Sequence, residues 1–198
     1  MRVFRKSGGA GGVTLIELAV VMAIVAIMAL FMAPAIGEWL DNYRIRQTAR
    51  EVSSDLQFAK MKAISSGRYC TVVFSQAVGS TLYSYVIFPD YNNDFILDTA
   101  NAGDLDDDGD QENETTDIFK LGLLGKNTSF DPAQGGGDGI DFPAVSGHPA
   151  VAFNRSGLPI ENSGPVTVQR NIFLQNIKNN KHQQITTSPA GRIGINEY

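Results

Sequence analysis

Between Val13 and Gly37 the chain carries one ionisable side chain, Glu17, and from Leu18 to Ile36 nineteen consecutive residues carry none. A helix of that length rises about 28 Å, close to the ~30 Å hydrocarbon core of a bilayer. This stretch sets the organisation of everything after it. Arg2, Arg5 and Lys6 precede the span, and the junction reads Gly8-Gly9-Ala10-Gly11-Gly12. Basic residues on the short N-terminal side stay cytoplasmic, which sends the C-terminal bulk across.

Three arrangements fit an apolar segment in this place. A cleaved secretory signal is one, with Ala33-Pro34-Ala35 in the position of a small-residue cut site. The apolar run is longer than the 7–15 residues of a signal core, and proline beside the bond is awkward. A plain anchor is the second. Neither accounts for Glu17, because an acid at membrane depth costs on the order of 2.5–3.5 kcal/mol and normally has a partner. The third is a subunit that is inserted, trimmed at the glycine junction and packed helix against helix.

The run GVTLIELAVVMAIVAIMALF, from Gly12 to Phe31, resembles the class III signal of type IV pilins and type II secretion pseudopilins. The resemblance implies a prepilin peptidase that cuts after Gly12 and a new N-terminus, Val13, that is then N-methylated. It makes Glu17 the fifth residue of the mature chain. Val13 departs from the phenylalanine usual in that family. Cleavage would expose an α-amino group, largely cationic at neutral pH. Glu17 of one subunit could then neutralise the amine of the previous one, offsetting the burial cost of both charges and fixing the axial register. Leu15, Ile16 and Leu18 through Phe31 would pack against neighbouring helices. Pro34 lies where pilins carry a helix-breaking proline. It removes one backbone donor, and with Gly37 it opens two alternatives: a local kink or melt, or a simple exit from the membrane. The implied location is a single-pass inner-membrane protein with its domain in the periplasm, later part of a pilus or pseudopilus.

Beyond Gly37 the helical pattern becomes one-sided. Ile45, Ala49, Val52, Leu56, Ala59 and Ala63 recur at steps of four and three, a single stripe suited to packing on a sheet. Arg44, Arg46, Arg50, Asp55, Lys60 and Lys62 take other positions. Gly67 reads as the C-terminal stop, with Lys60 and Lys62 near the last turn. One long helix is expected from about Val13 to Ser66.

From Arg68 on, β-branched and aromatic runs replace it: Tyr69 to Ser75, Leu82 to Phe88, Ile118 to Leu124, Val151 to Asn154, Val166 to Val168, Ile172 to Ile177, Gln184 to Thr187 and Ile193 to Ile195. Val78-Gly79-Ser80 forms a turn between the first two. The fold class is therefore α+β, a long N-terminal helix, transmembrane and then amphipathic, packed on a C-terminal antiparallel β domain. The expected segments are 1–12 as leader, 13–37 as assembly helix, 38–67 as its amphipathic continuation and 68–198 as β domain. The stretch Ala49 to Phe74, with Phe153 to Pro159 and Ile185 to Ile193, resembles the GspH/FimT branch of minor pilins and pseudopilins.

Residues 90–117 form an acidic insertion with no Lys or Arg. Asp104, Asp106 and Asp108 before Gly109, followed by Asp110 and Glu112, give the alternating oxygen ligands that suit Ca²⁺. The closing bidentate acid of an EF-type loop would fall at Thr115, so a true EF-hand is rejected. Asp90, Asn92, Asp94 and Asp98 make a second, looser set. The alternative is a solvated insertion kept open by like charge.

No active site is legible. His148 and His182 are far apart in sequence, His148 reads as exposed, and Cys70 reads as a small buried residue. Nothing suggests a small-molecule substrate. Residues 38–198 hold 13 Lys/Arg and 20 Asp/Glu, a net of −7, which opposes binding to phosphate backbones. Two other classes stay open. One is a DNA-uptake pilin using Arg170, Lys178, Lys181, His182 and Arg192. The other is a calcium-dependent secreted surface protein released by signal cleavage. The partners implied by the resemblance are the prepilin peptidase, other pilin or pseudopilin subunits and the inner membrane.

Overall fold

A computed structural model describes residues 12–97 and 117–198, with residues 33–35 described in backbone only. The chain forms two compact units, one ending at Leu40 and the other Asp41–Tyr198. A single helix, α1, is assigned from Leu15–Ser66. Val13 and Thr14 precede it rather than belonging to it. Helix continues through Pro34 and Gly37, so the local melt does not occur; the missing proline donor removes one rung of the ladder only.

The second unit is α+β. After α1 come β1 (Tyr69–Val78), β2 (Thr81–Asp90), β3 (Lys120–Gly122), β4 (Thr128–Phe130), β5 (Ala144–Val145), β6 (His148–Phe153), β7 (Pro159–Glu161), β8 (Gly164–Pro165), β9 (Arg170–Asn176), β10 (His182–Thr187) and β11 (Ile193–Asn196). They form two sheets, ordered β3-β2-β1-β6-β7-β8 with β5 on β6, and β11-β10-β9-β4. Every pairing between named strands is antiparallel. Gly67 closes the helix in the left-handed region at φ +69, its N–H bonded to the Ala63 carbonyl at 3.0 Å, the geometry glycine adopts without a Cβ penalty. Gly79 and Ser80 make the two-residue turn between β1 and β2, with Val78 opposite Thr81.

The helical stripe is buried throughout: Ile45, Ala49, Val52, Leu56, Ala59 and Ala63 are each at most 2% exposed. Five of them, from Ala49 on, share one core with Cys70, Val72 and Phe74 of β1, Tyr85 and Ile87 of β2, and Ile172, Leu174 and Ile185 of the second sheet. A second core lies on the other face of the first sheet, built from Val73, Val86, Phe88, Ala150, Ala152 and Ile160 with Phe95 from the start of the acidic insertion. Strands buried on both faces lose the simple alternation of an exposed sheet, and β6 is buried from Pro149 to Phe153 without a break.

Several expectations are corrected. Val166 to Val168 is not a strand. Strands β4, β5, β7 and β8 lie outside the runs read as strands. Asp55, off the apolar stripe, is nonetheless buried; it is 7% exposed and accepts hydrogen bonds from Tyr85 Oη at 2.5 Å and Lys120 Nζ at 2.7 Å. Lys60 and Lys62 stand one turn before the helix end, where Lys60 Nζ donates to the Gly191 carbonyl at 2.9 Å. Lys62 sits over the rings of Phe58 and Phe119. His148 opens β6 and is half-buried rather than exposed.

Candidate functional site

The described part of the first unit is an apolar helix whose side chains are exposed. The 18-residue window Leu15–Met32 is long and apolar enough to cross a membrane, and none of it is buried. Leu15, Ile16, Leu18 and their successors to Phe31 are exposed around the whole circumference, Leu15 at 87%. A helix that is apolar on every side is covered by lipid or by other helices. Gly12 and Val13 lie exposed just ahead of it. Pro34 lies inside it, with its side chain outside the described residues.

Glu17 has a local role that the sequence reading missed. Thr14 is the residue before the first helical turn, and its Oγ1 accepts from the Glu17 N–H at 3.3 Å. The Thr14 N–H in turn donates to Glu17 Oε2 at 3.4 Å. This reciprocal pair is a capping box, in which Thr and Glu three residues apart satisfy two otherwise orphaned donors. The T-x-x-E spacing was legible and could have been found. The cap engages one carboxylate oxygen, Oε2.

In the second unit, Asp41 gathers cations and amides where α1 enters. It is 2% exposed. Its carboxylate accepts from Lys178 Nζ at 2.9 Å, Arg44 at 3.1 Å and Asn127 Nδ2 at 3.4 Å, and its carbonyl accepts from the buried Asn176 Nδ2 at 2.9 Å. The Lys178 hydrogen bond, foremost, holds the carboxyl below its ordinary value against the opposing effect of burial. Just after β4, Asp131 accepts from Tyr198 Oη at 2.8 Å and contacts His182 Nδ1 at 3.1 Å. Burial would raise the Asp131 carboxyl, but the Ala133 N–H, Tyr198 and His182 outweigh it and the net shift is downward.

The two acidic sets fare differently. Asp98, Asp104, Asp106, Asp108, Asp110 and Glu112 lie outside the described residues. Asp90, Asn92 and Asp94 are described, and each turns an oxygen to a backbone or hydroxyl donor. Asp90 Oδ2 accepts from Thr71 Oγ1 at 2.7 Å and from the Phe95 N–H at 3.1 Å. Asn92 Oδ1 accepts from Asp94 N–H, and Asp94 Oδ1 from Ile96 N–H. These bonds order residues 90–97, and of them Phe95 is buried against the first sheet while Asn93 stays exposed. Among the described residues no three His, Cys, Asp or Glu are grouped as a metal centre.

Cys70 is buried at 1% exposure, and desolvation pushes its thiol up to about 12, so it is an inert core residue. The basic residues considered for DNA are largely spent on acids. Arg170 holds Glu161 through Nε at 2.5 Å and a second nitrogen at 2.8 Å. Lys178 is on Asp41, and His182 is on Asp131.

A lipid-seeking helix with one capped acid, leading into an α+β unit whose polar clusters hold structure, defines a membrane-anchored pilin-like subunit. The family model described as type II transport protein GspH matches residues 48–191, well over half of the chain. The chain belongs to the GspH family, the pseudopilin subunits of type II secretion, which are structural and not enzymatic. No curated protein and no solved structure matches it.

Proposed function

We propose that this chain is a minor pseudopilin made as a membrane precursor, cut after Gly12 by a prepilin peptidase, N-methylated on Val13, and drawn from the inner membrane into a pseudopilus through its N-terminal helix. The domain 41–198 then projects on the periplasmic side and meets other pseudopilin subunits. One observation carries the reading. The first helix exposes an apolar surface on all sides and carries a single acid one turn from the proposed new N-terminus. Leu15, Ile16 and Leu18 would lie against neighbouring helices, and Glu17 would keep its free Oε1 for the neighbour's ammonium while Oε2 caps its own helix.

Intact mass of the protein recovered from membranes tests the processing step. The expected species begins at Val13 and carries one methyl group. A chain that keeps Arg2 to Gly12, or begins at Ile36, overturns it. Assembly is tested by crosslinking Glu17→Gln and Glu17→Ala variants to partner subunits. Both should be processed and both should lose incorporation by at least tenfold, since neither carries the charge. Normal incorporation of Glu17→Gln would remove charge pairing as the register device.

A further inference from the structure

Among the described residues, β11 is an edge strand of the second sheet, with β10 on one side and no strand on the other. One contact gives its hydrogen-bonding register. The Ser188 N–H donates to the Arg192 carbonyl at 2.9 Å, so Ser188 and Arg192 are a hydrogen-bonded pair. Such pairs alternate with non-bonded ones along an antiparallel ladder. With Thr187 opposite Ile193 and Gln184 opposite Asn196, Gly194 and Asn196 bond to β10. Ile193, Ile195 and Glu197 turn their N–H and C=O groups to the outer edge. Side chains alternate in step with this. Ile193 packs on the main core, and Ile195 stands opposite the buried Ile185. The residues whose main chain points outward therefore carry their side chains on the α1 face of the sheet.

A groove of about 440 Å³ follows this edge, lined by Arg46 and Arg50 of α1 and by Gln183, Ile195, Asn196 and Glu197. Here α1 and β11 run in opposite senses. Arg46 donates to Glu197 Oε1 at 2.8 Å, and Lys60 Nζ donates to the Gly191 carbonyl at 2.9 Å. Four helical residues rise about 6 Å, nearly the same as two strand residues, which puts Arg50 beside Ile195. Arg50 is exposed, and among the described residues it forms no ion pair. Glu197 shows what suits this face: an acid projecting from a strand toward α1 and held by an arginine. We propose that the outer edge of β11 accepts an extended acidic segment of another protein, which joins the sheet as a further strand and sets an acid on Arg50. The outward N–H and C=O of Ile195 supply the strand hydrogen bonds. Charge selects the occupant, since Arg46 and Arg50 meet one acid, Glu197, in the groove. The surface lies wholly within the domain 41–198 and stands independently of the filament reading.

The test uses the full chain in detergent micelles and a fluorescent synthetic peptide that alternates glutamate and valine. Anisotropy should show saturable binding, at least tenfold weaker for Arg50→Glu. Arg155→Glu makes the same charge change on an exposed residue near Gly157, which abuts Lys60 and Ile64, about three helical turns from Arg50. It should bind within twofold of wild type. Bound peptide should slow amide exchange at Ile195 and Glu197 at least fivefold. Gly194 and Asn196, already bonded to β10, should change less than twofold. Two further peptides carry N-methyl groups on every glutamate nitrogen or on every valine nitrogen. One should lose binding and the other keep it, because one alternate set of donors faces β11. Equal binding of all three peptides, or equal weakening by Arg155→Glu, overturns the proposal and leaves ionic adsorption alone. Absence of saturable binding by the parent peptide overturns it as well. Protection of Ile195 without peptide, rising with protein concentration, also overturns it and assigns the edge to a second copy of the chain.

Discussion

Glu17 carries two demands on one side chain, and the capping box separates them. Glutamine at 17 can still accept from the Thr14 N–H, whereas alanine cannot. Thr14→Val removes the reciprocal acceptor and leaves the charge. Loss of an N-cap costs about 0.5–2 kcal/mol, here confined to the first helical turn. Amide exchange in micelles should therefore quicken at residues 15–18 in Thr14→Val and Glu17→Ala but stay near wild type in Glu17→Gln. Faster exchange in Glu17→Gln equal to that in Glu17→Ala would show that the cap depends on charge. Asp90 offers a parallel case in the domain. Desolvation outweighs its bonds to Thr71 and Phe95 and raises its carboxyl above the ordinary value, while the buried Oδ1 has no hydrogen-bond partner among the described residues. Asp90→Ala strands the Thr71 hydroxyl and the Phe95 N–H, a loss of about 1–3 kcal/mol. Asp90→Asn keeps an acceptor for both without burying a charge, and its midpoint in urea at pH 7 should lie above that of Asp90→Ala. Sequence alone pointed to Glu17 because a charge in an apolar run has no neutral explanation. It could not point to Asp90 as a buried acceptor, because an acid at the head of an acidic run reads as solvated.

At the scale of elements, periodicity was the reliable signal wherever one face met one core. The stripe from Ile45 to Ala63 was legible because a helix packed on one side leaves its spacing in the sequence. The acid Asp55 broke that pattern unseen, since its partners Tyr85 and Lys120 come from strands that only the fold brings near. Short strands failed for another reason. β4, β7 and β8 are two or three residues long, too short for alternation to register, and their pairing is imposed by neighbours. Gly122 in β3 illustrates the hidden constraint: a Cβ there would collide with the ring of Tyr85. Gly122→Ala should displace that ring from Asp55 and lower stability by about 1–3 kcal/mol, as overpacking does. Phe74 marks the centre of the main core. It is fully buried, stacked on Phe142 at 6.1 Å and edge-on to Phe130 at 6.0 Å. Phe74→Ala should cost about 3–5 kcal/mol, read as a loss of urea midpoint with an unchanged slope. A loss below 1 kcal/mol would mean that the two sheets are not joined through this residue.

For the whole molecule, acid stability follows from which carboxylates the fold holds. Asp41, Asp131 and Glu197 all have lowered folded values, Glu197 through its bond to Arg46 at 2.8 Å. A depressed carboxylate contributes stability that is complete above its unfolded value, about 3.9 for Asp and 4.3 for Glu, and lost as pH falls through its folded value. Asp90 has the opposite sign. Its raised value means the folded state binds the proton more tightly, so its contribution is favourable at low pH and declines as pH rises from about 3.9 through its folded value. The two effects act on either side of the ordinary carboxylate range and can be separated by substitution. Melting temperature of the wild-type protein should fall steeply below about pH 4. Asp131→Asn should flatten that acid limb, because the clasp to Tyr198 and His182 no longer depends on an ionised acid. Asp90→Asn should leave the acid limb in place and abolish the decline above it. An acid limb unchanged in Asp131→Asn would mean that the bond from the last residue of the chain to the β4 edge adds nothing to the stability of the domain. Among the described residues, the pull toward low-pH unfolding from buried acids with lowered values would then have to come from Asp41, making the first residue of the domain the first place at which it lets go.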